Sequence, residues 1–196
     1  MRALHLVAAM STVCVSVLGS EIREFDLKTI QRLGNELTRV SQTSEKGATT
    51  PTRKRAKQAA ITALQGRLFN IHYDYVVLDD PEGSGWLVYA LGKGPRSGDV
   101  VVWGHFRVTV SPDGQKAERV DALSHSLMID NKNFDPSPQG YHRVDFVTSQ
   151  AVGTRPVETL LYASNLMNLR FAVATPPNGQ VWFIENGKIS KSRSKK

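Results

Sequence analysis

WLVYALGKGPRSGDVVVWGHFRVTVSPDG, residues 86–114, decides how this chain folds. Trp86 to Leu91 is an unbroken bulky run of strand length, and Gly92 to Gly98 is rich in residues that turn a chain. Asp99 to Val110 is a longer β-branched and aromatic stretch, and Gly104 inside it predicts a bulge. Ser111-Pro112-Asp113-Gly114 supplies a proline and an Asx group where a tight turn needs them. Upstream, Asn70-Ile71-His72-Tyr73-Asp74-Tyr75-Val76-Val77 alternates at period two, and Asp80 to Gly85 is a turn. Downstream, the chain returns from Gln115 to Ile129. Short loops between successive strands favour antiparallel neighbours, so residues 69–129 predict a four-stranded meander.

The flanks read differently. Behind the capping residue Asp26, Leu27, Ile30, Leu33, Leu37 and Val40 recur at helical spacing, with Gly34 as a small cost. Ser41 to Thr52 is a polar linker, and Thr52 is the expected cap of a second helix over 53–66. Its alanines, Ala56, Ala59, Ala60 and Ala63, suit close packing on a sheet, with the basic residues outward. Residues 130–143, rich in Asn, Pro, Gly and Ser, form a loop long enough to carry function. A strand at 144–149, a helix opened by Pro156, a strand at 170–175, a turn at Pro176-Pro177-Asn178-Gly179 and a strand at 181–184 complete the pattern. Asn186-Gly187 invites one more tight turn. The expectation is an α+β fold: two N-terminal helices, a four-stranded antiparallel meander, then β-α-β-β.

The N-terminus predicts export. Arg2 precedes an uncharged apolar run from Leu6 to Leu18. That is shorter than the ~20 residues a membrane-spanning helix needs. Val17 and Gly19 are small, as a signal peptidase requires, so residues 1–19 read as a signal peptide cleaved before Ser20. The single cysteine, Cys14, lies inside it. A mature chain of residues 20–190 with a basic, disordered tail at 191–196 then has no thiol, which excludes disulfides, a cysteine nucleophile and thiolate metal sites. No stretch of the mature chain has membrane-spanning length. The expected compartment is the periplasm or the medium.

Charge is unevenly placed. Without Arg2 the chain has 24 basic and 18 acidic side chains. Arg53, Lys54, Arg55, Lys57 and Arg67, with Lys188, Lys191, Arg193, Lys195 and Lys196, account for ten of the basic ones; elsewhere acids outnumber bases. Arg53, Lys54, Arg55 and Lys57 therefore form a candidate binding patch for an anionic envelope component. Lipid, glycan or another envelope protein fits an exported chain better than nucleic acid, and no RNP-like aromatic motif accompanies the patch. Trp86 and Tyr89 are candidate aromatic contacts for a ligand.

Catalytic motifs are sparse. There is no G-x-S-x-G, S-x-x-K, H-E-x-x-H, phosphate loop or dinucleotide fingerprint. Histidines lack paired metal-ligand spacing, so neither a metal nor a cofactor is expected. His72, His105 and His125 read as strand histidines with structural hydrogen bonds. His142, three residues before Asp145, is the one loop imidazole with a nearby carboxylate, and Glu158 opens the last helix.

The segments Trp86–Leu91 and Gly104–Val110 with Pro112-Asp113-Gly114 resemble the meanders of signal-peptide-bearing bacterial envelope proteins. Pro156-Val157-Glu158, Phe171-Ala172-Val173-Ala174-Thr175 and Gly179-Gln180-Val181-Trp182 resemble the C-terminal half of JAB/MPN metal-dependent peptidases. Those carry an upstream His-x-His pair; here Ser124-His125-Ser126 offers one histidine. The resemblance implies a related hairpin arrangement without that pair. Two functional expectations result. The first is a non-catalytic exported binding or envelope-associated protein. The second is a degenerate JAB-like hydrolase with a site around residues 130–145, with His142, Asp145 and Glu158 as its candidates.

Overall fold

The computed structural model describes residues 22–43, 50–133 and 145–192. The expected signal peptide, Cys14, His142 and most of the 130–143 loop lie outside these residues, as do 193–196.

Helix α1 spans Leu27–Gln42, and Asp26 caps it by accepting from Thr29 N at 2.6 Å. Its apolar stripe, Ile30, Leu33, Leu37 and Val40, is buried. Helix α2 spans Pro51–Ala63 and starts earlier than expected. Thr50, not Thr52, is the cap, accepting from Arg53 N at 3.2 Å. Pro51 explains the shift: its fixed φ and missing N–H suit the first helical position. The expected linker is shorter at both ends, since Ser41 and Gln42 belong to α1 and Pro51 and Thr52 to α2.

Six strands follow: β1 His72–Asp79, β2 Trp86–Lys93, β3 Asp99–Trp103, β4 Phe106–Val110, β5 Ala117–Ala122 and β6 Met128–Asn131. The antiparallel meander is present as a sheet of order β1-β2-β4-β5. Each of the two longest expected strands is divided. Gly104, at φ 117°, breaks 99–110 into β3 and β4, a conformation that favours glycine. The returning stretch breaks over 123–127 opposite. The result is a bent hairpin: β4 pairs with β5 in the sheet, while β3 pairs with β6 in a separate two-stranded ribbon. Leu123 N donates to His105 O at 3.1 Å across the bend, and Ser124 Oγ accepts from Gly104 N at 2.8 Å.

The C-terminal part contains β7 Asp145–Ser149, α3 Glu158–Met167, β8 Arg170–Thr175, β9 Gln180–Glu185 and β10 Lys188–Lys191. The second sheet has order β10-β9-β8-β7. β7 and β8 run parallel, joined by α3, and β8 to β10 are antiparallel. The turn at Asn186-Gly187, with φ 50° and 71°, leads into β10 as its dipeptide predicts. Lys191, expected in the free tail, pairs with Trp182 in β10.

Two cores result from period-two alternation in the meander. Tyr73, Val88, Ala90, Phe106, Val108 and Val110 face α2 and pack on Ala56, Ala60 and Leu64. Val76, Leu78, Leu87, Tyr89 and Leu91 point the other way, into a larger core with α1, α3 and the second sheet's Phe171, Val173, Trp182 and Ile184. Gly34 has a role that its helix propensity hides. A Cβ there would meet Glu158 O at 2.7 Å and Leu161 Cβ at 2.9 Å, so glycine permits the close crossing of α1 and α3.

Candidate functional site

The basic residues of α2 divide between two sides of the helix. Arg53 and Lys57, one turn apart, lean over β1 and β2. The Arg53 guanidinium lies 5.3 Å from the Trp86 ring centre, and Lys57 Nζ lies 5.8 Å from that of Tyr75. Arg53 Nη2 also donates to Asp79 Oδ1 at 3.2 Å, but Asp79 is 77% exposed, so that pair contributes at most about 1 kcal/mol. Cation–ring contacts at such exposure are of similar size, about 0.5–1 kcal/mol. Their effect is to position the charges. Trp86 is itself fixed, because its indole N–H donates to Pro112 O at 3.1 Å.

Arg55 lies toward the turn after β4. Its Nε donates to Asp113 O and its Nη2 to Thr52 Oγ1, both at 3.1 Å. Lys54 is exposed. Beside Arg55 runs a groove of about 590 Å³ between α2 and residues 114–117, with Lys116 on its far wall. The candidate basic residues are thus split, Arg53 and Lys57 beside Trp86 and Tyr75 and Arg55 at the edge of the groove.

Tyr89 does not belong to that surface. It is fully buried, on the opposite face of β2 from Trp86. Period-two alternation separates positions 86 and 89, and the bulky ring at 89 fills the larger core. Its hydroxyl donates to Glu158 Oε1 at 2.8 Å, and burial, then the Glu158 charge, push its pKa well above the ordinary phenol value.

Glu158 is equally enclosed, and it belongs to a charge cluster around Arg107. Arg107 Nη1 donates to Glu158 Oε1 at 2.7 Å; Nη2 and Nε reach Asp121 Oδ2 at 2.7 and 3.2 Å. Arg107 Nη2 also donates to the carbonyl of Arg23, and the guanidinium sits 4.6 Å from the Phe25 ring centre. Arg107, Asp121 and Glu158 expose at most 3% of their surface. Burial alone would lower the Arg107 pKa, but the facing carboxylates of Glu158 and Asp121 raise it, and it remains a cation. The cluster ties β4 and β5 to the start of α3 and to the N-terminal segment, where Arg23 pairs with Asp80 at 2.6 Å. Sequence reading missed Arg107. The available signal was a lone arginine on the opposite face of β4 from Phe106, Val108 and Val110.

Asp145 occupies a different environment. It receives two hydrogen bonds from Arg170, at 2.7 and 2.6 Å, and these hold its carboxyl below the ordinary range. Asp145 and Glu158 are thus engaged in separate ion pairs. His105 is a buried structural histidine: Nδ1 accepts from Gly92 N at 3.0 Å and Nε2 lies 2.9 Å from Val101 O. With the first contact fixing an acceptor, the proton belongs on Nε2. Burial lowers its pKa to about 4. His72 and His125 are exposed, and His125 falls in the bend between β5 and β6, outside any strand. Among the described residues no group of three or more His, Cys, Asp or Glu is placed to hold a metal, and no helix is long and apolar enough to cross a membrane. Comparison with protein families, with curated proteins and with solved structures finds no match to this chain.

Proposed function

We propose that this chain is an exported, non-catalytic binding protein that attaches to an anionic component of the cell envelope through the outer face of α2. The observation that carries this reading is the stacking of Arg53 on Trp86 and of Lys57 on Tyr75, beside the exposed Lys54 and Arg55. Side chains of this length ordinarily lose rotamer freedom on binding. Two of these four cations are already held on aromatic rings, so less of that cost remains. The uncharged run behind Arg2 supports export. The separate ion pairs of Asp145 and Glu158 lend the hydrolase reading no support.

Exposed charges are screened beyond about 8 Å at physiological salt. Binding to a polyanion is therefore expected at low ionic strength and falls steeply as salt rises. The triple variant Arg53→Glu, Lys54→Glu, Arg55→Glu loses most of it while retaining its circular dichroism spectrum. Truncation after Ser192 removes Arg193, Lys195 and Lys196 and spares β10, so it isolates the tail. A triple variant that binds like the parent, beside a truncated chain that does not, would move the contact from α2 to the tail.

A further inference from the structure

We infer that the groove between α2 and the turn after β4 is a subsite for an acidic sugar unit of a polyanionic glycan. This inference rests on the reading of α2 as the attachment face and specifies what that face recognises. The groove, of about 590 Å³, falls within the few hundred to ~1,000 Å³ typical of small-ligand sites. Its shape is set by backbone packing. Gly114, at φ 75°, lies against the first turn of α2, where a Cβ would meet Thr52 O at 2.6 Å and Ala56 N at 3.0 Å. The wall of the groove is thereby pinned to its helix.

The chemistry of the lining selects the ligand. Arg55 is oriented by bonds from Nε and Nη2, and its Nη1 has no partner among the described residues. Lys116 stands across the groove, and no carboxylate lines it. Asp113, at the neighbouring turn, is occupied by Ser111 Oγ at 2.6 Å and Gln115 N at 3.0 Å. The side-chain amides of Gln58 and Gln115 have no partner among the described residues and can take hydroxyl groups. Between these polar groups Ala59, Ala63 and Ala117 give a low apolar floor, suited to the C–H face of a sugar ring. Two cations, two amides and a small apolar floor match a uronic acid or similarly charged sugar.

The same surface argues against the other polyanions. The large apolar side chains exposed among the described residues are Met128, Val147 and Val181, none of them on α2 or on the turn. A membrane-docking face would pair its cations with apolar anchors. The rings of Trp86 and Tyr75 are covered by Arg53 and Lys57, which leaves no open platform for stacked bases.

The test is calorimetric titration of the folded chain with a galacturonic acid hexamer at low salt, with a neutral maltohexaose as control. Saturable binding of the acidic hexamer is expected, at least tenfold tighter than the neutral one. Thr62→Trp fills the groove without changing charge, and Thr62 is exposed, so the variant should fold; binding should weaken at least tenfold. Gln58→Trp is a second blocking variant should the first misfold. The double variant Arg55→Ala, Lys116→Ala should weaken binding comparably. Unchanged affinity in the folded blocking variants, with loss in the α2 charge-reversal variant, overturns the groove and leaves the attachment reading standing. Binding to phosphatidylglycerol vesicles without binding to the hexamer overturns the sugar assignment. Binding to neither overturns both readings.

Discussion

Arginines occupy two contrasting regions of this molecule. On α2, Arg53 and Arg55 lie at the surface, and their partners are an exposed carboxylate, a partly exposed ring face, a hydroxyl and a backbone carbonyl. In the core, Arg107 meets two buried carboxylates, a carbonyl and an aromatic face. The chemistry of the side chain is identical. Burial changes what each interaction is worth, because an ion withdrawn from water must recover its hydration energy from fixed partners. The surface arginines are therefore available to a ligand, whereas Arg107 is committed to holding the sheet, α3 and the N-terminal segment together.

The largest expected effect breaks the buried side of the contrast. Arg107→Met leaves Glu158 as a buried charge with no facing cation and reduces Asp121 to its Arg119 pair at 2.6 Å, and should cost about 3–5 kcal/mol, read by urea denaturation. Adding Glu158→Gln should recover part of that loss. A single variant within 1 kcal/mol of the parent would show that the core hydrates the carboxylates, and the contrast would collapse.

A pH series sharpens it. His105 has a folded pKa of about 4 against an ordinary 6.5, so between these values the unfolded chain binds a proton that the folded chain does not. Its stabilisation is complete above pH 6.5 and is lost as pH falls toward 4, at roughly 1.4 kcal/mol per pH unit. The lowered carboxyl of Asp145, and that of Asp80, where burial works against the Arg23 pair that lowers it, act in the same sense at still lower pH. Denaturation of His105→Gln across this window should give a flatter slope than the parent. An unchanged slope would mean that His105 takes up its proton at the same pH in the folded and unfolded chains, and its burial would then carry no charge penalty.

A smaller effect comes from the α1–α3 crossing that carries Glu158 to its place. Gly34→Ala forces the two helices apart, and overpacking of this kind costs about 1–3 kcal/mol. Thermal unfolding is the readout, and a stabilised variant would contradict the close approach. The smallest change is expected at the surface. Arg53→Met should cost no more than about 1–2 kcal/mol, the sum of its exposed ion pair and ring contact, while weakening polyanion binding. A larger loss of stability would make Arg53 a structural residue and erase its difference from Arg107.

The sequence alone determined most of the order and kind of the elements: two helices, an antiparallel meander and a β-α-β-β run, to which the structure adds the strand β10 and the separate β3–β6 ribbon. The former follow from local signals, since apolar spacing, capping residues and turn dipeptides act within a few positions of one another. It also determined that basic residues gather on α2. Tertiary structure decided which of them face an aromatic ring and which face a groove, because that depends on the seating of Ala56 and Ala60 on β2 and β4. Period-two alternation already puts Trp86 and Tyr89 on opposite faces of their strand; tertiary structure decided that the Tyr89 face is enclosed by the larger core and that Trp86 lies partly exposed beside α2. It decided, too, that Glu158 stands in a buried ion pair with Arg107, 51 positions away, rather than beside Asp145. Charge pairing across such separations leaves no trace in local spacing. It is fixed only when the strand bends at Gly104 and α3 packs on Gly34, which brings the guanidinium and carboxylate together out of water.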